Sequence, residues 1–292
     1  MDRIFAKYSD FLLILTAFFW GSTFILMKKT IEDLPTFSFL FARFFLAFLL
    51  MLLIFYKKIT LKKEDILAAC ILGFLNFIAY AAQTYSLNFV PSNIVAFITA
   101  LFVVFTPIFS FLLFKRNIKI YSIIGVIIAV IGLYLLTLSG KLIFNVYEIY
   151  PLLCAIFFGM HVSVTDVFSK KYNIYTLVTF QFLVVALLSL VFVPFESHKI
   201  KITPLVIFAL FITSFFATVF AFFVQTYAQK YTSPTKTAVI FALEPVTAAF
   251  FGIMYGEKLT LFQISGGFLV IFATIISEIG DKIIKLFNPK NY

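Results

Sequence analysis

The chain has 292 residues, of which 63% are hydrophobic, 20% aromatic and only 12% charged, and its mean hydropathy is +1.08. A soluble domain of this size carries about a quarter charged residues, so half that supply cannot keep a globule wet. A folded extramembrane catalytic module, a nucleic-acid-binding domain and a disulfide scaffold are excluded, and the net charge of +10 has to be read by position along the chain.

Apolar stretches follow one another at roughly 11–27, 35–56, 66–87, 93–114, 120–139, 149–168, 174–195, 204–228, 234–254 and 260–279. Each approaches the length that crosses about 30 Å of hydrocarbon as a helix. Charge or proline marks the breaks: Lys28-Lys29 with Pro35, Lys57-Lys58 with Lys62-Lys63, Pro91, Lys115-Arg116, Lys141, Lys170-Lys171, Pro204 and Pro234. The first stretch lacks a small-x-small cleavage site before the next span and reads as a membrane helix rather than a removable signal. Ten spans predict an all-α membrane protein with both termini on one side.

Lys and Arg place that side. With the N-terminus inside, sixteen of the 23 fall on the inner side, six on the outer side, and Arg43 within a span. The bias predicts a multi-pass protein of the inner or plasma membrane with cytoplasmic N- and C-termini. The charge is therefore a topology signal, and no nucleic-acid partner is expected. The expected partners are the lipid bilayer and a small metabolite.

The chain also compares with itself. Ala17, Phe19-Trp20-Gly21 and Phe44-x-x-Ala47 recur 138 residues on as Ala155, Phe157-Phe158-Gly159 and Phe182-x-x-Val185, with Arg43 landing on Gln181. Gln83-Thr84-Tyr85 recurs as Gln225-Thr226-Tyr227 at a spacing of 142, and Gly125 then lands on Gly267. Two units of five helices follow, at 1–140 and 146–280, with a cytoplasmic tail at 281–292. An odd number of spans per unit forces the second to insert upside down, so the halves are inverted repeats about an axis in the membrane plane. Such symmetry gives two conformations of similar energy open to opposite sides, with a ligand site between them. Duplication in a scaffold or an intramembrane enzyme is the alternative.

Several of these segments resemble the drug/metabolite transporter superfamily, and within it the EamA-like family. Phe19-Trp20-Gly21-Ser22-Thr23-Phe24 is similar to its Trp-Gly segment, and Phe41-Ala42-Arg43-Phe44-Phe45-Leu46-Ala47 to its Arg-Phe-x-x-Ala segment. Leu243-Glu244-Pro245-Val246, Gly256-Glu257-Lys258-Leu259-Thr260 and Gly266-Gly267 resemble segments near the family's end. Lys115-Arg116 stands where a Gly-Glu pair is usual, and no role is carried onto it. The resemblance implies a carrier of small metabolites, often amino acids or related compounds and frequently exported, working by alternating access. Uptake or exchange of a nucleotide-like or cofactor-like metabolite is the alternative within carriers.

Among intramembrane polar residues, Arg43 lies about 12 Å inside the second span at helical rise. A guanidinium there cannot shed its proton and must face the bundle interior. Either it binds a substrate carboxylate or phosphate, or it locks helices together. Glu244 sits near mid-depth of the ninth span beside Pro245, which removes a backbone donor and frees a carbonyl to line a cavity. Coupling to a proton and a structural or gating role both remain open for this pair. Asn76, Tyr80 and Gln83 share one face of the third span, Thr218 and Gln225 one face of the eighth, and His161 and Thr165 one face of the sixth. With Trp20 and Gln181 they outline a substrate-binding set, although singly each fits an interhelical hydrogen bond, and Trp20 packing. Asp166 reads as an interfacial partner of Lys170. His161 and His198 stand apart, Cys70 and Cys154 lie in apolar runs, and no nucleotide-binding loop occurs, so no metal, cofactor or ATP-driven step is expected. An intramembrane enzyme using Asp166 or Glu244 lacks a second catalytic partner.

Overall fold

The computed structural model describes residues 2–138, 146–196, 200–254 and 260–287. Lys141, His198, Lys199 and the segment from Gly256 to Leu259 lie outside the described residues, as does the end of the expected tail from 288. Among the described residues thirteen α-helices make ten crossings, and there is no strand.

In chain order these are α1 (Asp2–Thr30), α2 (Thr36–Phe55), α3 (Lys63–Ser86), α4 (Ser92–Ala100), α5 (Phe102–Phe114) and α6 (Ile120–Leu138). The second half holds α7 (Ile149–Lys171), α8 (Ile174–Phe192), α9 (Pro204–Ser214), α10 (Ala221–Ala228), α11 (Pro234–Phe241), α12 (Glu244–Met254) and α13 (Leu261–Phe287). Three crossings are composite: α4 with α5, α9 with α10 through a π-helical turn at Phe215–Phe220, and α11 with α12. α6 is 19 residues long, about 28 Å at 1.5 Å per residue, enough to cross the hydrocarbon. α13 continues to Phe287.

The polarity is inside out for water. Leu53, Leu67, Phe208, Phe211 and Phe268 are more than half exposed, whereas Arg43, Asn76, His161, Gln181 and Gln225 are buried. Lipid solvates the outer face, so the polar groups have to satisfy one another inside.

Packing displays the repeat. α1 lies against α10, α11 and α12, and its counterpart α7 lies against α3, α4 and α5. α2 packs on α8 and α6 on α13, each a pair of equivalents. Equivalent helices α2 and α8 run antiparallel, and their ends show it. Glu196, just past the C-terminal end of α8, accepts hydrogen bonds from the Phe37 and Ser38 amides at the start of α2 (2.6 and 3.0 Å) and from the Ser38 hydroxyl at 2.7 Å. At the other end, Asp65, in the first turn of α3, accepts from the amide of Asn173, which caps α8 (3.1 Å). Each central helix thus has its start held by an acid from the other repeat, satisfying amides that a helix start leaves unpaired. The fold is ten transmembrane helices in two inverted five-helix repeats.

Glycines set the closest approaches. A Cβ on Gly21 would collide with the Glu244 carbonyl and lie 2.7 Å from Thr247 Cβ, and one on Gly159 would lie 2.7 Å from Phe105 Cβ. These positions are 138 apart, and the crossings they permit are equivalent: α1 over α12 and α7 over α5. At the paired α6 and α13, a Cβ on Gly266 would strike Leu136 N and come 2.6 Å from Gly132 O, so the two backbones touch there.

Candidate functional site

Two of the composite crossings break at matching places. α4 gives way to α5 at Leu101, and α11 gives way to α12 at Ala242-Leu243. With the spacing of 142 found in the neighbouring spans, Phe102 and Glu244 are equivalents, and each is the first residue of its second half-helix. Interrupted helices at corresponding positions of inverted repeats leave backbone polar groups unpaired at mid-depth, where they line a cavity. Here both half-helix starts line one: its walls are Trp20, Thr23, Met27, Arg43, Tyr80 and Gln83, closed by Thr99, Phe102, Phe158 and Glu244. The free space is only about 10 Å³, about room for one water molecule. An organic solute enters only when the lining moves apart.

Arg43, 1% exposed, is held by neutral acceptors. Its Nε donates to Thr218 Oγ1 at 2.8 Å, one terminal nitrogen to Ala217 O at 3.1 Å, and the other faces Met27 Sδ at 3.3 Å. The guanidinium also lies 4.8 Å from the Tyr80 ring centre and 5.3 Å from that of Phe44, a cation–π setting. The π-helical turn makes this possible. It displaces the local carbonyl ladder, and Ala217 O accepts from both Arg43 and Trp20 Nε1 (2.8 Å), as π turns often do at functional sites. Thr218 Oγ1 in turn donates to Thr213 O at 2.8 Å. Arg43 therefore does lock α2 to the eighth span, and it also lines the cavity. Glu244 lines the same cavity from α12, and among the described residues no ion pair joins it to Arg43. Pro245 follows in the first turn of α12, where its missing amide hydrogen costs nothing.

The residues expected as one binding set divide in two. Trp20, Arg43, Tyr80, Gln83 and Glu244 come together in the cavity. Asn76, His161 and Gln181 form a separate knot: Gln181 Oε1 accepts from Asn76 Nδ2 at 3.1 Å and meets His161 Nε2 at 3.0 Å. Gln225 bonds Gln229 at 3.4 Å, and Gln229 bonds Val162 O at 2.9 Å. One aromatic layer separates the groups, because Phe158 and Phe222 touch both Tyr80 (5.3 and 6.0 Å between ring centres) and His161 (6.3 and 5.8 Å).

Both ends of the bundle are tied across the repeats. At the end where the chain starts, buried Asp166 pairs with Arg116 (2.8 Å) and Lys170 (2.6 Å), and Asp10 with Lys236 (2.8 Å). Beside these ties lies a recess of about 260 Å³ lined by Ser110, Arg116, Lys119, Ser122, Ser233 and Thr235 among others. At the opposite end the Glu196 cap and the bond from Lys201 N to Asp33 O (2.9 Å) close the bundle. Sequence reasoning missed Thr23, Met27, Thr99, Phe102 and Phe158 as lining. The break at Leu101 was detectable from Ile98-x-Ala100-Leu101, which recurs as Ile240-x-Ala242-Leu243 at 142.

The model of the EamA-like transporter family matches residues 7–138 and 146–278. Over 270 residues the chain is 36% identical to an "Uncharacterized transporter" of Archaeoglobus fulgidus, covering 92% of this chain and 85% of that protein. An "Uncharacterized transporter YoaV" of Bacillus subtilis is 25% identical, with 88% and 92% covered. A solved crystal structure superposes with a TM-score of 0.80 over 93% of this chain and 98% of that one, and at 13% identity it speaks for the fold alone.

Proposed function

Because the chain belongs to the EamA-like transporter family and is a multi-pass membrane transporter, we propose that it is a secondary carrier for a small zwitterionic metabolite, an amino acid or a close relative, exported by alternating access. The observation that carries this reading is the pair Arg43 and Glu244, which face one cavity without pairing with each other. A buried guanidinium met only by neutral acceptors, and a buried carboxyl group outside any ion pair among the described residues, are expensive to keep facing the same space without a charged partner. A solute with a carboxylate for Arg43 and an ammonium for Glu244 satisfies both, while Trp20, Tyr80 and Gln83 supply aromatic surface and a neutral hydrogen-bonding group. A nucleotide-like anion is less well matched, since among the described residues Arg43 is the one cation lining the cavity. Placement in the inner or plasma membrane with cytoplasmic termini is supported by the Lys and Arg bias. Glu244, next to the break at Ala242-Leu243, is the group in the cavity suited to carry a coupling proton.

Flux tests the reading. The full chain in liposomes should move one or more radiolabelled L-amino acids saturably, and Arg43→Ala should cut the rate at least tenfold. No saturable flux across the amino-acid panel, with saturable flux of a phosphorylated metabolite, would overturn the substrate class.

A further inference from the structure

The cavity residues and the knot of Asn76, His161 and Gln181 are related position by position. At the offset of 138, Thr23, Met27 and Arg43 become His161, Thr165 and Gln181; at 142, Asn76, Tyr80 and Gln83 become Thr218, Phe222 and Gln225. The bonds correspond too. Arg43 on α2 is bonded to Thr218, and its equivalent Gln181 on α8 is bonded to Thr218's equivalent, Asn76. Trp20 with Phe158, and Phe102 with Glu244, are pairs of which both members line the cavity, so the cavity sits on the pseudo-twofold axis. It opens toward the first repeat's members of the other pairs, and the second repeat's members are packed shut.

A second observation points at the same place. His161 Nδ1, Gln181 Nε2, Asn76 Oδ1, Thr165 Oγ1 and Gln225 Oε1 are all buried without a hydrogen-bond partner, and the five residues are 0% exposed. Native interiors leave few such atoms, because each gives up its bond to water with nothing in return. Of the fourteen such atoms among the described residues, five belong to this one set of equivalents, which marks a surface short of partners in this conformation.

We infer that His161, Thr165, Gln181 and Gln225, with Asn76, form a second ligand station, which replaces the Arg43 cavity when the two repeats exchange conformations. It takes the polar head of the carried solute through neutral donors and acceptors, since Gln181 stands where the first station has its guanidinium. Arg43 is the eighth residue of α2 and Gln181 the eighth of α8, and the two helices are antiparallel. The first station therefore faces the end opposite the chain's start, and the second faces the end where the chain starts. This rests on the carrier reading above but not on the identity of the solute.

Thiol labelling tests it. In the full chain with Cys70→Ser and Cys154→Ala, single variants Thr23→Cys, Gln83→Cys, Thr165→Cys and Gln225→Cys are reconstituted in vesicles and treated with a membrane-impermeant methanethiosulfonate from either side. Positions 23 and 83 should react from one face, and 165 and 225 from the other. Thr165→Cys is nearly isosteric, so it carries the test even if Gln225→Cys fails to fold. Reaction of position 165 from the same face as position 83, or from neither face, would overturn the inference. A labelled amino acid that the protein carries should slow the reaction at 165 at least threefold, and an unchanged rate would overturn the station. If no amino acid is carried, the substrate reading falls while the labelling result still decides whether the second surface opens.

Discussion

Arg43 and Gln181 hold equivalent places on antiparallel helices, each hydrogen-bonded to an equivalent residue of the facing span, yet one is a permanent cation and the other is neutral. The repeat thus preserves geometry while breaking charge symmetry. On the proposed function, a solute with a carboxylate should bind more tightly where Arg43 faces it, because charge-assisted bonds are about twice as strong as neutral ones.

Arg43→Lys should behave almost as badly as Arg43→Ala. Lysine keeps the charge but cannot reach Thr218 and Ala217 together with a planar fork. A loss of about 1.5–3 kcal/mol for bonds to a charged group corresponds to an affinity about 10- to 150-fold weaker, measured by saturable flux or scintillation proximity. Full activity of the lysine variant would show that the fork geometry is dispensable.

Glu244→Gln separates the two ends of a zwitterion. Binding of amino acids with a free ammonium should weaken about 10-fold or more, while N-acetyl derivatives, which lack that charge, change little. The same variant should also flatten any dependence of flux on pH; a pH profile identical to the parent's removes Glu244 as the proton carrier.

Gly266→Ala and Gly125→Ala form a contrast. A methyl at 266 meets the Leu136 and Gly132 backbone, whereas one at 125 finds its nearest atom at 3.4 Å. Overpacking costs about 1–3 kcal/mol, so Gly266→Ala should lower the melting temperature in detergent by several degrees. Gly125→Ala should leave it nearly unchanged.

Glu196→Ala and Asp65→Ala each remove an acid that bonds the start of a central helix, at opposite ends of the bundle. Loss of a cap costs about 0.5–2 kcal/mol. Their separation predicts additive losses in a double variant, read from urea or thermal unfolding in a fixed detergent. Strong non-additivity would mean that the two ends are coupled through the membrane.

Much of this was legible in the sequence, because apolar length and charge alternation act over twenty residues at a time. The ten stretches, the odd half-repeat and the match of Arg43 to Gln181 all follow from such regular signals. The division of the polar residues was not legible. Asn76 and Tyr80 lie one helical turn apart on the same face, yet Tyr80 lines the cavity and Asn76 joins the knot. Side-chain length and the Phe158–Phe222 layer decide that, and neither shows in spacing. The π-helical turn at Phe215–Phe220 was equally hidden. Phe-Phe-Ala-Thr-Val-Phe has no helix breaker, and the turn is stabilised by donors from α1 and α2, Trp20 and Arg43, to its displaced carbonyl.

The reciprocal caps on α2 and α8 bear on biogenesis. During synthesis the first five spans emerge with the Phe37 and Ser38 amides still waiting for an acid about 160 residues downstream. The leading half can enter the bilayer but cannot finish its own interior, so separately expressed halves should be short-lived in cells and should persist longer when produced together.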